Sequence, residues 1–198
     1  MQKIREILIG TNNPGKYREI CSLLPDKIIK HSPKDFKIPT PPETGKSFKE
    51  NSLIKASYFS KKTNLVCLSD DSGLEIDILN GEPGIYSARW GGKKNNFNIA
   101  INKVFKSIMK IKNSWSTPNK ARFICCLTLF WPNGKSYSAT GTLNGKLSNK
   151  KKGNKGFGYD PIFIPKGYKK TFGEMNPNFK MRIDHRYKAY SKIKKFFT

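Results

Sequence analysis

Ile4, Ile7, Leu8 and Ile9 make a short apolar run closed by Gly10, the pattern of a strand with both faces covered. A tight loop from Gly10 to Gly15 follows, and Pro14 suits the first turn of a helix that runs to about Leu24. A weak strand is expected near 27–30. Residues 32–44 are rich in proline and polar side chains and predict an irregular loop. Ser47 and Glu50 have the S-x-x-E spacing of a capping box, which places a helix from about Phe48 to Lys62. Leu65, Val66, Cys67 and Leu68 form a second buried run. Leu74 to Leu79 then alternates Leu, Ile and Ile with Glu and Asp, as a half-exposed strand does. The intervening Asp70, Asp71, Ser72 and Gly73 have the composition of a turn.

Further along, Ile101, Val104, Phe105, Ile108 and Met109 recur at helical spacing, so a helix from about Asn96 to Lys110 should bury these five residues. Ala121 to Trp131 and Lys135 to Leu147 are rich in strand formers and are separated by Pro132, Asn133 and Gly134, which predicts a long antiparallel hairpin. A basic, glycine-containing loop covers 150–155, a short strand Ile162 to Ile164, and a last helix Tyr187 to Phe197. No internal repeat is present. Helical crossovers combined with a hairpin give an α/β class with a mixed sheet. At 198 residues, 36% of them hydrophobic, the chain is long enough to bury a full core as a single domain over 1–198.

Charge changes the picture. Of the 38 basic residues only six are Arg, the formal net charge is +24, and the Lys residues are scattered. A biased coding sequence and a selected polyanion-binding surface both account for that excess. Seven of the fourteen acids lie between Glu43 and Glu82, and none lies from Pro83 through Tyr159. The chain thus sets one acidic island against a long cationic stretch. No run of about 18 apolar residues is present to suggest a membrane span. The N-terminal apolar stretch is short for a secretory leader, so the expected home is the cytoplasm. Cys21, Cys67, Cys125 and Cys126 lack C-x-x-C spacing, and three of them sit in apolar runs as small core residues would, which argues against zinc.

Asp70 and Asp71 carry the sharpest chemical signal. Adjacent carboxylates repel unless a cation or a shared proton intervenes, which makes the pair a candidate metal site. A hard divalent cation on carboxylates, facing lysines, is what a nucleotide polyphosphate needs. The loop Gly10, Thr11, Asn12, Asn13, Pro14, Gly15, Lys16 joins strand to helix and offers backbone N–H groups and a Lys to an anion. It is not a Walker A loop, because Tyr17 follows Lys16; an ordinary strand-to-helix turn has the same local look. Asn51 and Lys55, four apart, share a helix face with Glu43, Thr44 and Gly45 just upstream. Phe157 offers a ring to stack on a base, Asp160 a carboxylate for a purine N–H, and Arg186, beside His185, a donor for a base oxygen. Taken singly, each of these also fits core packing or a surface ion pair.

Taken together, ILIGTNNPGK, ETGKSFKENSLIKA, LSDDSGLEID, GEPGIYSARW, NKGFGYDPIF and KMRIDHR occur in order along nearly the whole chain, and the set resembles the inosine triphosphate pyrophosphatase family. The resemblance implies an elongated, two-lobed α/β fold around a central cleft, Mg²⁺ dependence, a homodimer, and hydrolysis of ITP, dITP and XTP to monophosphate and pyrophosphate. By motif position it implies that Thr11, Asn13, Gly15, Lys16 and Lys55 bind phosphates, and that Glu43, Asp70 and Asp71 hold metal. Asp71 would be the proton acceptor and Ser72 a substrate contact. Phe157, Gly158, Tyr159 and Asp160 would recognise the base, and Lys180, His185 and Arg186 the nucleotide. The chain departs from the usual K-x-x-x-S-H-R in having Asp184 at the Ser position, and Pro177, Asn178 and Phe179 stand where acids commonly precede the Lys. The competing reading, a non-catalytic basic nucleic-acid-binding protein, explains the Lys excess and gives the acidic pair no role.

Overall fold

The computed structural model describes residues 4–112, 114–115 and 118–197. Six strands form one mixed sheet in the order β2-β1-β3-β4-β5-β6. In chain order the elements are β1 (Glu6–Ile9), α1 (Pro14–Leu23), β2 (Ile29–His31), α2 (Phe48–Thr63), β3 (Cys67–Ile76), α3 (Phe97–Lys112), β4 (Asn119–Phe130), β5 (Ser136–Leu147), β6 (Phe163–Pro165), the single turn α4 (Pro177–Lys180) and α5 (His185–Ile193). β1 runs parallel to both β2 and β3, with Leu8 opposite Cys67, as helical crossovers require, and β5 pairs antiparallel with β6. β4 and β5 are neighbours joined by a tight turn in which Trp131 N–H donates to the Lys135 carbonyl, the expected hairpin.

The chain divides into two compact units. The first comprises 1–71, 125–141 and 185–198. Its strands carry two apolar faces. Ile7, Ile9, Leu68, Cys125, Leu127 and Leu129 pack with Ile20 of α1 and with Ala189, Tyr190 and Ile193 of α5. Leu8, Cys67 and Phe130 pack with Ala56 and Phe59 of α2. Strand alternation therefore covers one face with α1 and α5 and the other with α2. The second unit comprises 72–124 and 142–184, and its core gathers Leu74, Ile76, Ile101, Val104, Ile108, Phe123, Ile162, Phe163 and Phe172.

Local chemistry explains most boundaries. Asn13 caps α1, its Oδ1 accepting from the N–H groups of Gly15 (2.9 Å) and Lys16 (3.1 Å), and Pro14 fills the first turn. Ser47 caps α2 by accepting from Glu50 N–H, but the Glu50 carboxylate accepts from Lys46 N–H, one residue before the cap, so the box closes one position further back than its spacing implies.

Three expectations are corrected. The 67–76 segment is one continuous strand, so the acidic pair lies inside β3 and not in a turn. Met109 is exposed and Phe105 only half-buried, because the buried stripe of α3 is the narrower Ala100, Ile101, Val104, Ile108. The last helix begins at His185, two residues early, and its final turn tightens to 3-10 geometry over Lys194–Phe196.

Candidate active site

Within the first unit, β3 delivers Asp70 and Asp71, which are buried in spite of their charge. Each carboxylate meets cations from different elements. Asp70 Oδ2 lies 3.2 Å from Lys16 Nζ, on α1, and accepts from Arg186 Nη2 at 3.2 Å, from α5. The other end of that guanidinium, Nη1, donates to Glu19. Asp71 faces α2, where its Oδ1 is 3.6 Å from Lys55 Nζ and its Oδ2 accepts from Asn51 Nδ2 at 3.2 Å. The Lys55 ammonium also donates to Glu43, which precedes α2 in the loop.

The two aspartates respond oppositely to these surroundings. Burial would raise the Asp70 carboxyl, but Lys16, Arg186 and Lys55 outweigh it and hold the group well below the usual carboxylate range. For Asp71 burial prevails over Lys55 and Lys16, aided by the negative charge of Glu43 and Asp70, and its carboxyl is raised. Burial acts against the Lys55 ammonium as well, yet Asp71, Asp70 and Glu43 together make it hold its proton more tightly than an ordinary lysine. A buried carboxylate tuned upward beside one tuned downward is the division that separates a proton acceptor from a fixed charge.

The phosphate loop differs from its expected form. The N–H groups of Gly15 and Lys16, expected to face an anion, are taken by the Asn13 side chain. Thr11 is buried and its hydroxyl accepts from Asn13 N–H at 3.2 Å. The ammonium of Lys16, paired with Asp70, is the charge that this loop carries. Ser72 lies in β3 directly after the acidic pair, half-buried. His185, buried, starts α5.

Within the second unit, Asp160 Oδ2 accepts from Phe157 N–H at 2.9 Å and from Lys180 Nζ at 2.6 Å. Lys180 Nζ lies 5.0 Å from the centre of the Phe157 ring and 5.3 Å from that of Phe172, a cation over two aromatic faces. Phe157 is half-buried. Tyr159 is instead core, its hydroxyl donating to the Ser87 carbonyl at 2.8 Å and its ring edge-on to Phe97. Burial pushes its phenol up. Gly156 and Gly158 both have positive φ, and a Cβ on Gly156 would stand 2.0 Å from Asp160 Oδ2.

The structure thus brings Lys16, Lys55, Glu43, Asp70, Asp71 and Arg186 into one charged network, and Phe157, Asp160 and Lys180 into another. Arg186, expected to offer a donor to a base oxygen, is 1% exposed, and its guanidinium bonds Glu19 and Asp70. Asp184, the departure from the usual Ser, is buried. Glu19 was not foreseen. The signal was present, since Glu19 stands three residues after Lys16 and so shares its face of α1.

As for metal, the donor set is hard carboxylate oxygen, which suits Mg²⁺. Glu43 and Asp71 already converge on one cation, the Lys55 ammonium, so the geometry brings two carboxylates to a common positive centre. No group of three acidic, His or Cys side chains among the described residues could enclose a metal alone.

Comparison with known proteins agrees with the motifs. The chain is 39% identical over 189 residues to the dITP/XTP pyrophosphatase of Caulobacter vibrioides, covering 96% of each. It is 38% identical over 196 residues to that of Oceanobacillus iheyensis, covering 98% of each. Among solved structures it resembles a HAM1 protein from Coxiella burnetii, with TM-score 0.84 and 34% identity over 96% of both chains. It also resembles the Staphylococcus aureus Ham1 protein, with TM-score 0.81, 34% identity, and 96% and 97% of the two chains covered. A Ham1 family sequence model matches residues 7–196. With the ordered motifs, the sheet and the relatives all in agreement over nearly its whole length, the chain belongs to the Ham1 family.

Proposed function

We propose that this protein hydrolyses non-canonical purine nucleoside triphosphates (dITP, ITP and XTP) to the monophosphate and pyrophosphate, keeping deaminated purines out of nucleic acid. The observation that carries this reading is the buried acidic pair Asp70 and Asp71, ion-paired to Lys16 and Lys55, in a chain whose relatives are named dITP/XTP pyrophosphatases. Asp71 accepts the proton of a water whose oxygen bonds to the α-phosphorus as the bond to the bridging oxygen breaks. Lys16 and Lys55 stabilise the negative charge that collects on the departing pyrophosphate. Thr11, Asn13, Gly15 and Ser72 line the phosphates. Phe157 stacks on the base, and Gly158, Asp160, Lys180 and His185 complete its recognition. Tyr159 supports that segment from the core, and Arg186 acts through Asp70.

Glu43 and Asp71 would hold Mg²⁺, with Asp70 adding negative charge from the other face of β3; when bound, the ion neutralises phosphate charge. A homodimer and a cytoplasmic home complete the reading, and no helix among the described residues is long and apolar enough to cross a membrane. The test is pyrophosphate release from dITP and from dATP, each with and without Mg²⁺. Strong release from dITP that needs the metal, with little from dATP, is expected. Equal rates on both nucleotides would overturn the base selectivity, and no release from dITP would overturn the activity itself.

A further inference from the structure

We propose that Asn51, which none of the preceding roles includes, is the positioning residue that fixes which oxygen of Asp71 faces Lys55 and takes the proton. The inference rests on the reading of Asp71 as proton acceptor. Asn51 lies on α2 and is fully buried. Its Nδ2 donates to Asp71 Oδ2 at 3.2 Å, and its Oδ1 accepts from Gly45 N–H at 2.8 Å. A backbone N–H can only donate, so the amide oxygen is fixed on the Gly45 side and the NH₂ group on the carboxylate side. The two oxygens of Asp71 are thereby made inequivalent. Oδ2 is held by Asn51, and Oδ1 is left on the side of Lys55.

The second arm ties the same amide to Glu43. Gly45 follows Glu43 by two residues, and a Cβ at position 45 would lie 2.8 Å from Asn51 Oδ1 and 2.6 Å from Glu50 Cβ. The loop approaches α2 this closely because position 45 has no side chain. One buried amide therefore sets both the rotamer of Asp71 and the place of the loop that brings Glu43 to Lys55. Partners that orient a reacting group through a hydrogen bond typically matter about 10- to 100-fold in activity.

Asn51→Asp separates the arms, because it keeps the oxygen that accepts from Gly45 and removes the N–H that Asp71 receives. Asn51→Ser removes the reach to Asp71 without adding charge. Steady-state pyrophosphate release from dITP by the full chain, with thermal unfolding measured in parallel, is expected to show kcat lowered about 10- to 100-fold in both variants with KM nearly unchanged. A kcat for Asn51→Asp within about twofold of wild type, or a loss in both variants confined to KM, would overturn the proposal. Wild-type protein inert towards dITP would defeat the parent reading and this one together. Active wild type with an equally active Asn51→Asp would defeat this one alone.

Discussion

Arg186 Nη2 donates to Asp70 Oδ2 at 3.2 Å, and both side chains are essentially sealed from water, at 1% and 0% exposure. Because Glu19 accepts from the other end of the guanidinium, the arrangement is a buried acid–base–acid chain with Lys16 as a second cation on Asp70. Removing one member of such a chain strands the others in a medium that solvates them poorly.

Arg186→Met should therefore cost stability above all, by about 3–5 kcal/mol, because Glu19 and Asp70 lose a shared partner. Urea unfolding at neutral pH measures it. A loss below about 1 kcal/mol, as for an exposed pair, would contradict this account.

Asp70 also gives stability a pH dependence of definite sign. Its carboxyl is held below its ordinary value of 3.8, so the contribution is fully present above that pH and is lost as pH falls through the folded-state value beneath it. In chelator-treated protein, the wild-type urea midpoint should fall more steeply below about pH 4 than that of Asp70→Asn, which lacks the titration. Parallel curves would remove Asp70 from the acid response.

Asp71→Asn tests the chemistry. The amide keeps the shape, but it binds no proton and offers less charge to a metal, so turnover of dITP should fall on the order of 10² to 10⁴. Nucleotide binding, read by titration calorimetry with a non-hydrolysable triphosphate, should remain measurable. Retention of more than about a tenth of wild-type turnover would take the proton-acceptor role away from this residue.

Gly156→Ala probes the other network. At φ +73° a side chain is strained, and here its Cβ would press against the oxygen of Asp160 that holds Phe157 N–H and Lys180. The variant should lose about 1 kcal/mol of stability or more and show a smaller dITP-to-dATP ratio of kcat/KM. An unchanged ratio would mean that this segment does not read the base.

How legible this molecule was depended on the distance over which each feature is determined. Asn13 with Pro14, Ser47 before α2, and Pro132, Asn133 and Gly134 between β4 and β5 act on their immediate neighbours, so the elements they bound could be read directly. The acidic pair could not. Asp-Asp-Ser-Gly has turn composition, and what makes it strand interior is supplied by Lys16, Asn51, Lys55 and Arg186, which reach it only in the fold. Met109 fits the helical period but lies at the margin of the stripe, where packing and not periodicity decides burial. The candidate chemistry was visible as residue types in order. The commitment of Arg186 to Glu19 was hidden because 167 positions separate the two.

The continuity of β3 through the acidic pair has one further consequence. Successive side chains on a strand point to opposite faces, and the contacts obey that parity: Leu68 and Asp70 look towards α1 and α5, Cys67 and Asp71 towards α2. Two chemically identical neighbours are thus assigned to different compartments by nothing more than odd and even numbering. Neither can stand in for the other when one is lost. Deleting Ser69, the one residue between Leu68 and Asp70, would turn each carboxylate to the other's face without changing one charge in the protein, and should abolish the site while every charged residue of it is still present.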